Sequence, residues 1–474
     1  MKLIRRQKLW LAIVITANLA LWIIPSDVVE QIARDRQTML GRYSRTHFTW
    51  IAGVALASLV SFYIDWSTGE TYKRRWFRVL AGMMVLFPSL AVIDFLLRSP
   101  EAAHYVRETP AYHRPPNADF EIVHNDAPEA FRTYPNAPRG FGTVKCVLHT
   151  DGRGYRNRET PDRCDVLVLG DSFAEGSNIS DEHAWPARLA ALSGLSVYNL
   201  GMSGYDTFEY HCSLKEHGLD LKPRYVLCML YEGNDFRSAK SDRKRQDPSF
   251  SSRLKDYIKQ SPILTTVDNL LINTFGPINC DGPVRGAEIL DWVPLAVPPG
   301  PAARHYAIQP KQLRDLFLSR AEFAADKHWL NPRRHLQEMD GLCREAGARF
   351  VVVYAPTAAH VLLPTLAGRL PADKIRAYTA LRYKGELPEP DKFLTDLLER
   401  VDAREAVVRE WCEREGIAFF STVASLRAAA VSGAQVYYTY DQHWTPPGHA
   451  VVAEALCEHI RDTFMPESEQ TTGP

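Results

Sequence analysis

Residues 164–173 read Cys-Asp-Val-Leu-Val-Leu-Gly-Asp-Ser-Phe. A short apolar run breaks into a glycine, an acid and a serine, and a helical pattern follows. Continuous apolar character, rather than alternation, is what a strand covered on both faces requires. Working outward, the same texture recurs at Ser196–Leu200, Tyr225–Tyr231, Phe350–Tyr354 and Ile417–Ser421. Helical patterns separate these runs, and the last helix is expected at about Gly448–Arg461. Strands alternating with helices predict an α/β fold in three layers, with a parallel sheet between two layers of helices.

The 474 residues suffice for two or three average domains. Lys plus Arg and Asp plus Glu are both 56, so formal net charge is zero and no basic excess is present to neutralise nucleic-acid phosphates. No nucleic-acid partner is expected. Gly (27) and Pro (31) are near average, which argues against disorder and low complexity.

The first hundred residues differ from the rest. Leu9–Ile24, Phe48–Ile64 and Val79–Leu97 are apolar runs, each approaching or reaching the ~30 Å hydrocarbon core when helical. Residues 1–97 are therefore expected to form a membrane region with three transmembrane helices. A cleaved signal peptide is the rival reading of the first run. Lys2, Arg5, Arg6 and Lys8, and then Lys73, Arg74, Arg75 and Arg78, mark two cytoplasmic segments by the positive-inside rule. The third span then delivers everything after Leu97 outside, to the periplasm or the extracellular space. The expected location is a multi-pass protein of the cell (inner or plasma) membrane. All eight Cys lie in the exported part. They are too dilute for a disulfide scaffold, and Cys146 with Cys164 is the first pair to test.

Residues 98–163 read as an exported irregular lead-in. Residues 164–465 form the α/β domain, interrupted by an insert at about 237–345 and a smaller one at about 365–390. Residues 466–474 read as a flexible tail. A long excursion from a compact sheet usually serves function, and here the substrate rim is its expected contact.

Each apolar strand ends in a turn, and open α/β sheets bind ligands beyond the carboxyl ends of their strands. The first turn, Gly170-Asp171-Ser172, puts a hydroxyl at a helix start, with its N–H pointing outward. The second, Asn199 to Gly204, offers a glycine N–H. The third, Gly233-Asn234-Asp235, offers a side-chain amide. The last, Asp441-Gln442-His443-Trp444, supplies a base with an acid to orient it. Taken singly, each has an ordinary structural explanation: a cap, a loop, a turn or a surface histidine. Taken together, they supply a nucleophile, Ser172, a base, His443 with Asp441, and three oxyanion donors: the Ser172 N–H, the Gly204 N–H and the Asn234 side chain.

This order of blocks resembles the SGNH hydrolase superfamily, also called GDSL-like esterases. Gly170-Asp171-Ser172, Ser203-Gly204, Gly233-Asn234-Asp235 and Asp441-Gln442-His443 match its four blocks over roughly 164–465. The resemblance implies a flavodoxin-like SGNH fold and favours Gly204 over Gly201 as donor. One feature departs from it. The commonest family spacing is Asp-x-x-His, whereas here it is Asp-x-His, which leaves open whether Asp441 or a backbone carbonyl orients His443. The Asp-x-His-Trp form looks like that of members acting on bacterial exopolysaccharides. The segment Thr150–Asn157 (TDGRGYRN) looks like a lead-in of membrane-anchored members.

The sequence holds no G-x-S-x-G elbow, H-E-x-x-H, Walker loop or G-x-G-x-x-G motif. The Cys and His spacings match no zinc pattern. No metal and no cofactor are expected. His360 and Trp444 are candidate substrate-binding residues, with His449 a further pocket candidate. The expected activity is that of a membrane-anchored serine esterase or O-acyltransferase acting on O-acetyl groups of cell-envelope carbohydrate. Lipid esters are a second substrate class. Transfer would call for a separate membrane partner to bring the acyl donor across. The rival from another class is a non-catalytic glycan-binding or assembly protein that kept the fold.

Overall fold

The computed structural model describes residues 5–24, 37–39, 43–65, 70–97, 112–126, 141–246, 261, 263–264, 266–267, 293–298, 303–380, 382–383 and 385–464. The expected tail at 466–474 and Cys280 lie outside them. The chain divides into two units, one of Met1–Ala103 with Phe250–Ile289 and one of His104–Ser249 with Leu290–Pro474.

In the first unit, helices Arg5–Ile23, Arg45–Asp65 and Glu70–Leu97 cover the three apolar runs. Among the described residues one helix, over Glu70–Asp94, is long and apolar enough to cross a membrane; Ala12–Ile23 and Thr49–Ile64 are shorter apolar helices. The expectation of three full spans is thereby reduced to one that meets the length requirement of roughly 18–20 apolar residues. The basic cluster Lys73–Arg78 lies inside the third helix rather than in a loop before it. Asp94 accepts hydrogen bonds from the Ser261 hydroxyl and, at 3.3 Å, from the Ile263 N–H.

The second unit is built on five parallel strands. Their spatial order is Ala418–Ser421, Arg349–Ala355, Tyr225–Tyr231, Val166–Leu169, Val197–Asn199. Counted along the chain this is the doubly wound order 2-1-3-4-5, which reverses direction between the Val166 and Tyr225 strands. Val166 and Val168 face one core with Trp185, Leu189, Val452 and Leu456, while Leu167 and Leu169 face the other with Trp329, Leu336, Met339 and Trp411. The two central strands, Val166–Leu169 and Tyr225–Tyr231, are buried at every position, which is why they read as unbroken apolar runs.

Three expectations are corrected. The lead-in is not irregular throughout, because Asp119–Asn125 pairs antiparallel with Thr143–His149. Only Cys146 and Leu148 of the second of these strands are buried, so its apolar signal is weak. The insert is shorter than 237–345. Lys327–Glu345 is the crossover helix that returns the chain to the sheet, and it contributes Trp329, Leu336 and Met339 to the core. Val293–Val297 and Arg304–Ile308 form a hairpin, with the Ala307 N–H on the Thr439 carbonyl at 2.8 Å. Finally, Cys146 and Cys164 are both buried free thiols and are not joined. Burial pushes Cys164 up to about 12, which leaves it an inert thiol.

Candidate functional site

Ser172 opens a short helix, Ser172–Glu175, directly after the Val166–Leu169 strand. Asp171 caps it, its Oδ1 accepting from the Phe173 N–H at 2.9 Å. The hydroxyl therefore stands at the switch point of the sheet, where the fold opens a crevice. The Nε2 of His443 lies 2.7 Å from the Ser172 Oγ. On its other side the His443 Nδ1 contacts the Asp441 Oδ1 in a short hydrogen bond. The same Oδ1 accepts the His443 backbone N–H at 3.0 Å. An aspartate bonded to the N–H two residues on is an Asx turn. That turn folds the two-residue spacing back on itself, so Asp441, not a backbone carbonyl, faces the imidazole.

Asp441 is fixed from several sides. Its Oδ2 accepts from the Asn178 Nδ2 at 2.6 Å and lies 3.5 Å from the His124 Nε2. Its own N–H, with those of Thr439 and Tyr440, goes to the carboxylate of Asp126 at 2.7–2.9 Å. Burial pushes Asp441 up, but the charge of His443 and the hydrogen bonds from it outweigh burial and hold the carboxyl down at about 2. Burial favours the neutral ring of His443; the charge and hydrogen bond of Asp441, with smaller effects from Asp171 and Glu175, outweigh it and raise the ring above its ordinary value. A raised imidazole with one nitrogen on a carboxylate and the other on a hydroxyl has the arrangement of a base ready to take a proton.

The loop expected to supply the Gly204 donor is tied to the serine helix through Glu175. Gly204 has φ +87, a left-handed conformation, and a Cβ there would stand 2.8 Å from the Tyr112 hydroxyl. Gly201 serves close approach instead, since its Cβ would meet the Ala174 Cβ at 2.6 Å and the Glu175 N at 2.7 Å. Glu175 accepts the Ser203 N–H at 3.1 Å and also binds the Ser203 hydroxyl. The Ser203 N–H is thus consumed, and the next N–H along the turn belongs to Gly204. Burial pushes the Asp171 carboxyl up to about 6, against the opposing pull of the Phe173 N–H, His443 and the Asn234 side chain. Asp235 behind it is pushed well above the usual carboxylate range by burial and by the neighbouring Asp171. It accepts from the Tyr210 hydroxyl at 2.9 Å and the Tyr231 N–H at 2.6 Å.

Two residues expected at the substrate are elsewhere. Trp444 is fully buried, its ring 4.8 Å from Phe173 and 5.5 Å from His449, so it packs under the site rather than lining it. His360 is also fully buried, with Nδ1 on Glu232 at 3.1 Å and Nε2 on Asp402 at 2.9 Å. Both of its nitrogens are occupied, and no lone pair remains for a substrate. His449 is buried beside Trp185, its Nδ1 3.3 Å from the Trp185 N–H, and burial holds its ring well below the usual histidine range.

Other residues matter that the four blocks do not contain. Arg114 pairs with Glu175 at 2.6 Å, and both side chains are nearly inaccessible. Burial raises the Glu175 carboxyl, but Arg114, Ser203 and Arg156 outweigh it and keep it below the usual range. Arg156 donates to the Glu175 carbonyl at 3.0 Å, to the Gly176 carbonyl and to the Ile179 carbonyl at 2.6 Å. The TDGRGYRN segment thereby gains a physical role, because its arginine satisfies the carbonyls at the end of the serine helix. Asn157 and Asn199 exchange hydrogen bonds at 2.8 and 3.0 Å, tying the same segment to the second turn. The sequence signal for Glu175 was a carboxylate one helical turn after Ser172, among residues that must be buried.

The sequence model of the family described as "SGNH hydrolase-like domain, acetyltransferase AlgX" matches residues 379–473, the stretch holding Asp441, His443 and the final helix. No curated protein matches the sequence. Among solved structures, this chain aligns with one described as a putative lipolytic protein of the G-D-S-L family from Desulfitobacterium hafniense DCB-2, at 13% identity and TM-score 0.30, covering 62% of this chain and 97% of that one. A G-D-S-L family member from Veillonella parvula DSM 2008 aligns at 8% identity and TM-score 0.30, over 63% and 97% of the two chains. A variant of an acetyl-xylooligosaccharide esterase from Geobacillus Stearmophilus aligns at 12% identity and TM-score 0.29, over 64% and 94%.

Proposed function

We propose that this protein is a membrane-anchored serine esterase or O-acyltransferase that works through an acyl-enzyme on Ser172. The observation that carries the reading is the continuous relay from Asp441 through His443 to the Ser172 hydroxyl. His443 takes the hydroxyl proton as Oγ attacks an ester carbonyl. The tetrahedral oxyanion is received by the Ser172 N–H, the Gly204 N–H and the Asn234 amide. The intermediate collapses, the alcohol leaves with the proton from His443, and the acyl group stays on Oγ. Water or a sugar hydroxyl, deprotonated by His443, then takes the acyl group and frees the serine.

The substrate class rests on resemblance: O-acetyl groups on cell-envelope carbohydrate suit both the matched family description and an external domain. Anchoring rests on the apolar Glu70–Asp94 helix, whose side chains are exposed at Phe77, Met84 and Val85. A periplasmic or extracellular position for the domain is supported by the basic residues Lys2–Lys8 and Lys73–Arg78 ahead of the apolar stretches. A separate membrane protein supplies the acyl donor if the reaction is transfer.

The test uses the full-length protein in detergent with an activated acetate ester and a fluorophosphonate label. Turnover and labelling in wild type, lost in both Ser172→Ala and His443→Ala, are expected. Equal signals in all three proteins would remove Ser172 from the reaction. Glycan binding without turnover or labelling would point to a non-catalytic binding protein.

A further inference from the structure

We propose that His211, His335 and Glu338 form a binding site for a divalent first-row transition ion of the zinc type, outside the Ser172 relay. His335 and Glu338 stand one helical turn apart on Lys327–Glu345, so they share a face. His211 comes from the Thr207–Ser213 helix. One donor atom from each of the three lies within 4.8 Å of the others. The Glu338 Oε2 is 3.9 Å from the His335 Nδ1 and 3.9 Å from the His211 Nδ1. These gaps are too long for direct hydrogen bonds. They suit an ion between the groups, since ligands about 2.0–2.2 Å from one ion stand roughly 3.3–4.2 Å apart.

The decisive group is His335. It is 1% exposed, and its Nε2 lies 2.9 Å from the Asp242 Oδ2. The Asp242 carboxylate, nearer than the competing Arg334 amino group, favours the hydrogen on Nε2, which leaves the lone pair on Nδ1. That Nδ1 is buried and has no hydrogen-bond partner. An orphaned buried acceptor is costly, and a carboxylate behind the opposite ring nitrogen is the usual outer support of a metal-bound histidine. Arg334 binds the Glu338 Oε1 at 2.7 Å and leaves Oε2 facing the imidazoles. Its other amino group lies 3.0 Å from the His335 Nε2 and 3.7 Å from the Asp242 Oδ2. Two imidazoles and one carboxylate suit zinc and its neighbours over calcium or magnesium.

The site has a structural consequence. The His211 helix leaves the Gly204 turn, and Ala239–Gln246, which carries Asp242, leaves the Asn234 loop. An ion held there ties the His211 helix directly, and the Asp242 helix through His335, to the same crossover helix. The sequence carried only a His-x-x-Glu pair, because the third ligand comes from a distant helix.

The experiment strips the full-length protein with a chelator and titrates zinc chloride against a chromogenic zinc chelator. Wild type is expected to take up one equivalent more than His211→Asn/Glu338→Gln and to gain melting temperature with zinc, which the double variant does not. Asp242→Asn is expected to weaken the site roughly 10–100-fold. Equal stoichiometry and equal thermal shift in wild type and double variant would overturn the site. Should circular dichroism find the double variant unfolded, Glu338→Gln alone decides: weakened zinc affinity supports the site, and unchanged affinity overturns it.

Discussion

His443 and His360 are both held by carboxylates, and their difference lies in the second ring nitrogen. His443 has Asp441 on Nδ1 and a serine hydroxyl on Nε2, and its side chain is 26% exposed. His360 has Glu232 on Nδ1 and Asp402 on Nε2, and none of it is exposed. Both rings are raised by carboxylates that outweigh burial, His360 to about 9. Carboxylates on both nitrogens hold His360 as an imidazolium at neutral pH that welds its surroundings. One carboxylate and one hydroxyl make His443 a ring able to accept a proton. Perturbed titration alone does not separate a base from a weld; the partner of the second nitrogen does.

The comparison breaks most visibly at the nucleophile. Ser172→Ala is expected to cut ester turnover by about 10³- to 10⁶-fold while leaving the urea midpoint near wild type. Turnover assays and equilibrium unfolding, run on the same preparation, check this. Asp441→Asn should cut turnover by about 10⁴-fold through loss of ring orientation, read as a fall in kcat.

On the other side of the comparison, His360→Ala should destabilise the fold by about 3–5 kcal/mol, because it strands the buried Glu232. Denaturant unfolding measures it, and a loss of under about 1 kcal/mol would mean the pair is not a weld. The pair also predicts a pH window. The contribution of His360 is complete below about 6.5 and is lost as pH rises through about 9. That of Glu232 is complete above about 4.3 and fades as pH falls towards about 2. Stability from this cluster is therefore fullest between those two ordinary values.

Asn234→Ala should cost about 10²- to 10³-fold in kcat with little change in KM, as removal of one oxyanion donor does. The mildest effect sharpens the comparison by titration. Since protonated His443 is unable to take the serine proton, turnover should fall on the acid side. The raised ring places that fall above the ordinary histidine value of about 6.5. A kcat/KM profile with its acid limb below that value would contradict the arrangement at Asp441.

The sequence alone determined the α/β layering, because strands buried on both faces must be apolar without alternation. It also determined the order of the four turns and the residue types each presents. Their assembly was decided by the tertiary structure, since the doubly wound strand order brings Ser172 and Asn234 to the switch point and the final turn onto them. The Asp-x-His spacing was ambiguous until the Asx turn at Asp441 was visible, because a two-residue spacing reveals nothing about which way the chain folds back. His360 and Trp444 were misplaced for the same reason: proximity along the chain to a strand end does not say whether a side chain points to the crevice or the core. In the sequence the Lys327–Glu345 helix reads as part of an insert, because its apolar face matches a buried layer only once the sheet beneath it is known. Arg114 carries no local signature, Arg156 only its place in the Thr150–Asn157 segment, and Glu175 only its position one helical turn after Ser172. Their roles come from contacts across the fold between groups that burial forces to pair, and such contacts exist only in three dimensions.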